Sequence, residues 1–327
     1  MKTTFLIIRF SSIGDIVLTT PVIRCLKQQL KGCRVHYATK KQFLPLLQAN
    51  PYVDTIHCLD NSLPKLIKEL QKEKFDYIID LHHNLRTLLI KSRLRILDFS
   101  FPKLNFEKWL KVNIKIDRLP RIHIVERYMK TLSLFDVVND GKGLDYFIPE
   151  KDEVDVQQLP AEFGNGYIAL VVGARYFTKQ LPVNKLVSLC NLINKPIVLL
   201  GGMEDVATGE SVAANANGFV FNGCGKFSIN QSASLVKKAR LVISHDTGLM
   251  HIAAAFKKKI ISIWGNTIPE FGMFPYLPDK ESTIFQVEGL SCRPCTKIGY
   301  SSCPKRHFRC MNDIDEKQIA VLANRLF

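Results

Sequence analysis

The stretch TTFLIIRFSSIGDIVLTTPVIRCLKQQLKG, residues 3–32, decides the fold class of this chain. Its opening TTFLIIRF is an apolar run of strand length, as expected for a strand buried on both faces of a parallel sheet. A short polar loop, SSIGD, follows, and the remainder places apolar residues at helical spacing before a terminating glycine. The stretch therefore predicts a strand, a loop and a helix, which together begin a βαβ unit.

The same alternation of strand and helix signals continues along the chain and restarts after Pro149. Further strands are predicted at 34–39, 55–60, 75–82, 166–174, 196–202, 241–246 and 258–265, and further helices at 42–50, 64–73, 183–194, 233–239 and 315–327. Residues 151–165 are polar and aperiodic, which indicates a linker. We therefore expect an α/β protein with an N-terminal domain over residues 1–155 and a C-terminal domain over residues 156–327.

Composition indicates an ordinary soluble globular protein. The chain has 327 residues, of which 46% are hydrophobic and 23% charged, and it contains no apolar run of transmembrane length. Arg9 interrupts the N-terminal apolar stretch, which favours a buried strand over a signal peptide. The nine cysteines are an odd number, and most lie scattered in strand or helix contexts. This usage suits a reducing cytoplasm.

The formal net charge of +15 indicates a polyanionic partner or a merely solvated basic surface. Residues 86–130 concentrate the excess, with 12 Lys or Arg against four Asp or Glu. Phe99, Phe101, Phe106 and Trp109 interleave with these charges, which fits either contact with an anionic membrane or core packing. No nucleic-acid-binding module is recognisable, so we expect no nucleic acid partner.

Two polar segments follow predicted strands, where open α/β sheets bind ligands. In the first, Gly14 allows close backbone approach, and Asp15 begins a helix whose N–H groups favour a carboxylate. Asp15 is either a general base or a helix cap. In the second segment, SHDTGLMH at 244–251, Gly248 exposes N–H groups suited to a pyrophosphate. His251, one turn along the same helix, either faces that ligand or is structural. Neither segment is a Walker loop or a dinucleotide fingerprint.

Three segments together resemble one family. RFSSIGDIVLTTPVIRCLK at 9–27, GARYFTKQLPVNKLVSL at 173–189 and SHDTGLMHIAAA at 244–255 resemble the ADP-heptose:lipopolysaccharide heptosyltransferases, glycosyltransferase family 9. The resemblance runs over essentially the whole chain. It implies the GT-B fold, in which two Rossmann-like domains have parallel sheets that face across a cleft.

The resemblance also implies a reaction. It predicts a metal-independent, inverting transfer of heptose from ADP-heptose to the lipopolysaccharide inner core, with no cofactor, Asp15 as general base and Lys179 on the diphosphate. Leu181 stands where the family usually has tryptophan, a departure that leaves the Lys179 ammonium available. The resemblance places Glu204 or Asp205 on the ribose and Phe227 against adenine, although Phe227 also suits a core. The donor site is then expected to include Ser12, Gly14, Lys179, Glu204, Asp205, Phe227, Asp246, Thr247, Gly248, Leu249 and His251.

The acceptor is expected to bind the N-terminal domain through His83, Asn84 and Arg86, since a guanidinium suits carboxylate or phosphate. The protein is then expected in the cytoplasm, peripherally on the inner face of the inner membrane. Alternatives are transfer of another nucleotide sugar to a surface glycan, and a basic polyanion-binding protein without catalysis.

A cysteine cluster near the C-terminus is the remaining motif. Four thiolates close a tetrahedral zinc site, but only one C-x2-C pair is present, so structural zinc and plain reduced thiols both stay open. The cysteines concerned are Cys292, Cys295, Cys303 and Cys310.

Overall fold

A computed structural model describes residues 2–327, which form two compact α/β units. Unit one comprises the chain up to Lys103 together with Ile122–Phe147, and unit two comprises Leu104–Arg121 and Ile148–Phe327. The chain thus enters unit two, returns to unit one and leaves it again. The functional boundary at residues 155 and 156 stays a prediction.

The bounds of the regular elements follow the alternation seen in the sequence. The strands are β1 (Thr4–Ile8), β2 (Arg34–Lys40), β3 (Thr55–Leu59), β4 (Tyr77–Asp80), β5 (Asp98–Ser100), β6 (Ile168–Val171), β7 (Ile197–Leu200), β8 (Val220–Asn222), β9 (Leu241–His245), β10 (Lys259–Trp264) and β11 (Thr283–Gln286). The helices are α1 (Ile13–Val17), α2 (Thr20–Gln29), α3 (Leu63–Leu70), α4 (Leu85–Leu94), α5 (Asn105–Trp109), α6 (Ile124–Met129), α7 (Val183–Leu192), α8 (Val206–Asn215), α9 (Ile229–Lys238), α10 (Gly248–Ala255), α11 (Arg309–Asn312) and α12 (Glu316–Leu326). Among the described residues, no helix combines the length and apolarity needed to cross a bilayer.

The sheet of unit one is parallel and has the strand order β3-β2-β1-β4-β5. Its central strand β1 is buried along almost its whole length, as its apolar sequence predicts. Ile8 pairs in register with Asp80, so the carboxyl ends of β1 and β4 lie side by side. The segments that carry Asp15 and His83 therefore leave the same edge of this sheet.

Unit two has a second parallel sheet, with the strand order β11-β10-β9-β6-β7-β8. The neighbouring strands β10, β9, β6 and β7 end next to one another at its centre. The α/β fold with two parallel sheets is thereby confirmed. Polar loops after these four strands supply the side chains of the second site.

Two sequence predictions differ from the structure in local detail. The helix predicted at 42–50 is a short 3-10 turn over Lys41–Leu46 with Pro45 inside it, because proline removes a helical N–H donor. The single helix predicted after the first loop is divided into α1 and α2. Pro21 lies in the first turn of α2, and its ring is incompatible with an α-helix that continues unbroken through Val17.

The segment interpreted as a linker packs against unit two. Residues 151–165 contain three buried side chains, Val154, Leu159 and Phe163. Ser234 in α9 donates a 2.6 Å hydrogen bond to the Glu153 carboxylate, and Lys237 pairs with the same group at 2.8 Å. The prediction of a linker at residues 151–165 is therefore wrong, because this irregular backbone still buries apolar side chains.

Candidate active site

Asp15 lies in α1, directly after β1, and both of its carboxylate oxygens have partners. Arg9 Nη2 contacts Oδ1 at 2.6 Å. Ser12 donates to Oδ2 through its backbone N–H at 3.0 Å and through its hydroxyl at 2.7 Å. The Ser12 backbone bond is a helix-capping contact, and the Arg9 ion pair adds a fixed charge to it.

These partners determine the protonation state of Asp15. Burial by itself would raise the pKa of the carboxyl, but the Arg9 guanidinium and the Ser12 hydrogen bonds outweigh it, so the pKa lies below its ordinary value. Asp15 is consequently a carboxylate at neutral pH. Its role as a general base stays a prediction.

Arg9 is itself held by unit one. Its guanidinium donates to the carbonyl of Leu81 at 2.6 Å and to the hydroxyl of Tyr128 in α6 at 3.2 Å. From the sequence, Arg9 stands out only as an interruption of an apolar run. Its position inside the RFSSIGD motif was the signal that it belongs to the site.

The predicted acceptor residues gather after β4. The backbone N–H groups of His82 and His83 donate to Asp80 Oδ1 at 3.0 and 2.7 Å, which folds the chain back at the strand end. Asn84 caps α4, because its side-chain oxygen accepts from the N–H of Thr87 at 3.1 Å. His83 is exposed. Asn84 therefore has a structural role, and its amide nitrogen and the second lone pair of its oxygen remain for a ligand.

Lys179 and Asp246 form the centre of the site in unit two. They are far apart in sequence, yet the Lys179 ammonium and Asp246 Oδ2 form a close ion pair that is largely buried. Thr267 donates to the same carboxylate oxygen at 3.0 Å. Thr267 was not predicted, although it follows β10 at the edge where ligands bind. Asp246, which is itself held by Thr267, thus fixes the Lys179 ammonium at the carboxyl ends of β9 and β10.

The N-terminus of α10 lies beside this ion pair in sequence and in the fold. Thr247 is its N-cap residue, yet its side chain accepts no hydrogen bond from the first turn. Asp246, Thr247 and Gly248 keep partial solvent access, whereas Leu249 and His251 are buried. Backbone N–H groups at Gly248 thus join the Lys179 ammonium as positive groups available to an anion.

Asp205 and Glu204 occupy different environments after β7. Asp205 is buried and accepts the N–H of Gly202 at 2.8 Å, and burial raises the pKa of its carboxyl. It packs against Gly173, where an added Cβ would lie 1.8 Å from Asp205 Oδ2. Glu204 is exposed. Phe227 is partly buried, with its ring centroid 6.5 Å from that of Phe221.

Two further residues were missed. Asn266, next to Thr267, is 1% exposed, and neither atom of its side-chain amide has a partner among residues 2–327. A buried amide of this kind normally forms hydrogen bonds with water or a ligand. His245 accepts the N–H of Leu181 at 3.0 Å, and burial lowers its pKa to about 4, so its imidazole is neutral.

The aromatic residues of the basic region separate into two groups. Phe101 is buried against Tyr128, with ring centroids 4.7 Å apart. Phe99 packs on Phe135 at 5.2 Å. Both therefore pack against aromatic rings of unit one, Phe101 buried and Phe99 half-buried, which fits the core-packing alternative. Phe106 and Trp109 are exposed on unit two.

The cysteine cluster is close enough for its thiols to interact. Burial and the neighbouring Cys292 and Cys303 raise the pKa of Cys295 to about 11, and burial and the other thiols raise that of Cys310 to about 12. No three of the four sulfurs, however, all lie within 4.8 Å of one another in the described chain. A tetrahedral zinc site needs sulfurs about 3.8 Å apart. A closed zinc site would therefore need these cysteine side chains to move closer together, and the metal stays a prediction.

Comparison with known proteins identifies the class. The crystal structure of a glycosyl transferase family 9 protein from Veillonella parvula DSM 2008 matches with a TM-score of 0.80 at 20% identity, covering 100% of this chain and 98% of its own. That of E. coli ADP-heptose lps heptosyltransferase II matches with 0.74 at 19% identity, covering 100% and 98%. The fold is therefore that of the GT-B glycosyltransferases.

The family follows from sequence. Residues 63–304 match the profile of glycosyltransferase family 9 (heptosyltransferase), and the chain belongs to that family of glycosyltransferases. The lipopolysaccharide heptosyltransferase 1 of Campylobacter coli is 24% identical over 294 residues, covering 80% of this chain and 83% of its own.

Proposed function

We propose that this protein transfers heptose from ADP-heptose to the lipopolysaccharide inner core with inversion at the anomeric carbon. The observation that carries the proposal is the Lys179 ammonium, fixed by Asp246 beside the open N-terminus of α10. An ammonium and aligned N–H groups suit a diphosphate. Family membership and the similarity to lipopolysaccharide heptosyltransferases support the choice of sugar and acceptor.

In the proposed step, an acceptor hydroxyl attacks the anomeric carbon from the face opposite the diphosphate. The new C–O bond forms as the bond to the diphosphate oxygen breaks, and ADP leaves with the bonding electron pair. Asp15 takes the hydroxyl proton. Because the pKa of Asp15 is lowered, this transfer becomes favourable only as the hydroxyl turns acidic in the transition state.

Protein groups supply the positive charge for the leaving ADP. Lys179 has three N–H donors, so it can bind a phosphate oxygen while one N–H stays on Asp246. Gly248 and the following N–H groups add donors that are already oriented before the reaction, as electrostatic stabilisation requires. We therefore propose a reaction that needs no metal, and full activity in excess EDTA is the expected result.

The cysteine cluster is given no part in this step. Its predicted zinc stays a prediction, which metal analysis of the purified protein tests. About one zinc per chain, lost in the variant C292S/C295S, would support it, and a metal-free protein would remove it. The proposed location is cytoplasmic, on the inner face of the inner membrane.

The test of the proposed function is acceptor-dependent ADP release with ADP-heptose and heptose-deficient lipopolysaccharide. NMR of the product gives the anomeric configuration. Other nucleotide sugars serve as controls, since a different sugar and surface glycan are the main alternative. Release with ADP-heptose alone among the donors, and an inverted product, would support the proposal. Turnover of a different donor, or retention, would contradict it.

A further inference from the structure

Helix α4 of unit one carries an apolar stripe on its outer face. Leu85, Leu88 and Leu89 are 79%, 57% and 50% exposed. Their spacing of three and four residues places them on one side of the helix. The opposite side packs into the unit through the buried residues Thr87 and Ile90. The exposed leucines therefore contribute nothing to the core, although leaving them in water is unfavourable.

Positive charge borders this stripe. Arg86, Arg93 and Arg95 are exposed, and none of them forms an ion pair within the described chain. Lys91 is different, because it turns inward to Asp98 at 2.8 Å. The sequence has no acidic residue from position 81 to 97. The outer face of α4 thus combines exposed leucines with unpaired guanidinium groups.

This combination favours an anionic membrane over a protein partner. An apolar patch by itself suits either. Arginine side chains, however, lay their aliphatic stems along an apolar surface and place their charged ends among lipid phosphates. Neighbouring leucines can then enter the boundary between headgroups and acyl chains. Each basic residue near an anionic leaflet strengthens binding about fivefold. An acidic protein groove would have to supply both features in a matching pattern.

We propose that α4 is the element by which unit one docks on an anionic membrane, with Leu85, Leu88 and Leu89 in the boundary between headgroups and acyl chains. Arg93 and Arg95 then bind lipid phosphates. The proposal deepens the proposed function and rests on it in one respect: the lipid-linked acceptor of that reaction lies in such a membrane. Docking itself needs no donor and no turnover.

Flotation of the full chain with vesicles tests the proposal. Vesicles of phosphatidylethanolamine and phosphatidylglycerol are the probe, and vesicles of phosphatidylcholine are the reference. We expect L85Q/L88Q/L89Q to bind the anionic vesicles at least tenfold more weakly than wild type, and R93Q/R95Q about 25-fold more weakly. The matched control is L134Q, since Leu134 is 77% exposed in the same unit but belongs to the turn Lys130–Phe135 and not to α4. The L134Q variant should bind the anionic vesicles as wild type does.

Several outcomes would overturn the proposal. They are failure of wild type to bind anionic vesicles at low salt, equal binding to phosphatidylcholine, and unchanged binding by the leucine variant. Circular dichroism establishes that each variant folds, which is expected because the replaced side chains are exposed. Turnover of a delipidated, water-soluble acceptor separates the two claims. The leucine variant should retain it; a wild type that docks but turns over nothing would refute the proposed function and leave docking intact.

Discussion

Replacing Arg9 with methionine removes the charge that holds Asp15 while keeping a long unbranched side chain. The guanidinium donates to the carbonyls of Ser11 and Leu81 at 2.7 and 2.6 Å and to the Tyr128 hydroxyl at 3.2 Å, besides its 2.6 Å contact with Asp15. The variant loses all four interactions and leaves a largely buried carboxylate without its cation.

The expected loss of stability follows from burial. The Arg9 and Asp15 side chains are 10% and 19% exposed, so the pair lies near the buried limit. Removing one partner of a buried pair costs about 3–5 kcal/mol, and the residual exposure places this case near about 3 kcal/mol. At about 2–4 °C per kcal/mol, the Tm should fall by about 6–12 °C. Burial then dominates the pKa of Asp15, which should rise because the opposing Arg9 charge is gone.

Two assays follow these effects. Thermal unfolding by circular dichroism gives the Tm, and the pH dependence of kcat/KM for ADP release gives the acid limb, which should move to higher pH. Arg34→Met is the matched control, because Arg34 is exposed in β2. A variant R9M whose Tm and acid limb both equal those of wild type would refute the electrostatic account of Asp15.

Three further predictions concern unit two. Lys179→Met should weaken ADP binding at least tenfold by isothermal titration, because it removes the fixed ammonium, whereas the exposed control Lys280→Met should bind as wild type; equal affinities would exclude Lys179 from the phosphate site. The pKa of His245, lowered by burial to about 4, means that the unfolded chain takes up a proton first as pH falls below 6.5. The free energy of unfolding should therefore fall by about 1.4 kcal/mol per pH unit between pH 6 and 4.5 from this group, and His245→Asn should flatten that slope in urea titrations; an unchanged slope would contradict the assignment. Gly173→Ala should lower the Tm by several degrees, since its Cβ would lie 1.8 Å from Asp205 Oδ2, and a Tm equal to wild type would show that this loop yields freely.

The sequence predicted the fold well because the strands of a parallel sheet are short apolar runs. β1 and β6 show this directly, since both are buried on each face and lie between recognisable loops. Local errors arose where one residue overrode a pattern, as Pro45 did in a segment with helical spacing. The segment 151–165 was misjudged because its few apolar residues follow no helical or strand period.

The candidate site could be predicted only in part. Asp15 and Asp246 were found because each follows a strand at the edge where such sheets bind ligands. Their partners Arg9 and Thr267 were missed, since pairing across the fold leaves no periodic signal. The same limit applies to Phe101 and Phe106. Both lie in the basic stretch 86–130, yet Phe101 is buried and Phe106 is exposed. Burial depends on tertiary packing, which spacing does not encode.

In the proposed reaction, the Asp15 carboxylate takes the proton of the attacking hydroxyl. The most direct measurement compares acceptor-dependent ADP release by wild type and Asp15→Asn, which keeps the shape of the side chain and removes its basicity. We expect kcat to fall by at least about 100-fold with ADP affinity unchanged, because general base catalysis contributes about that much or more. Release at the wild-type rate by a folded Asp15→Asn protein would contradict it.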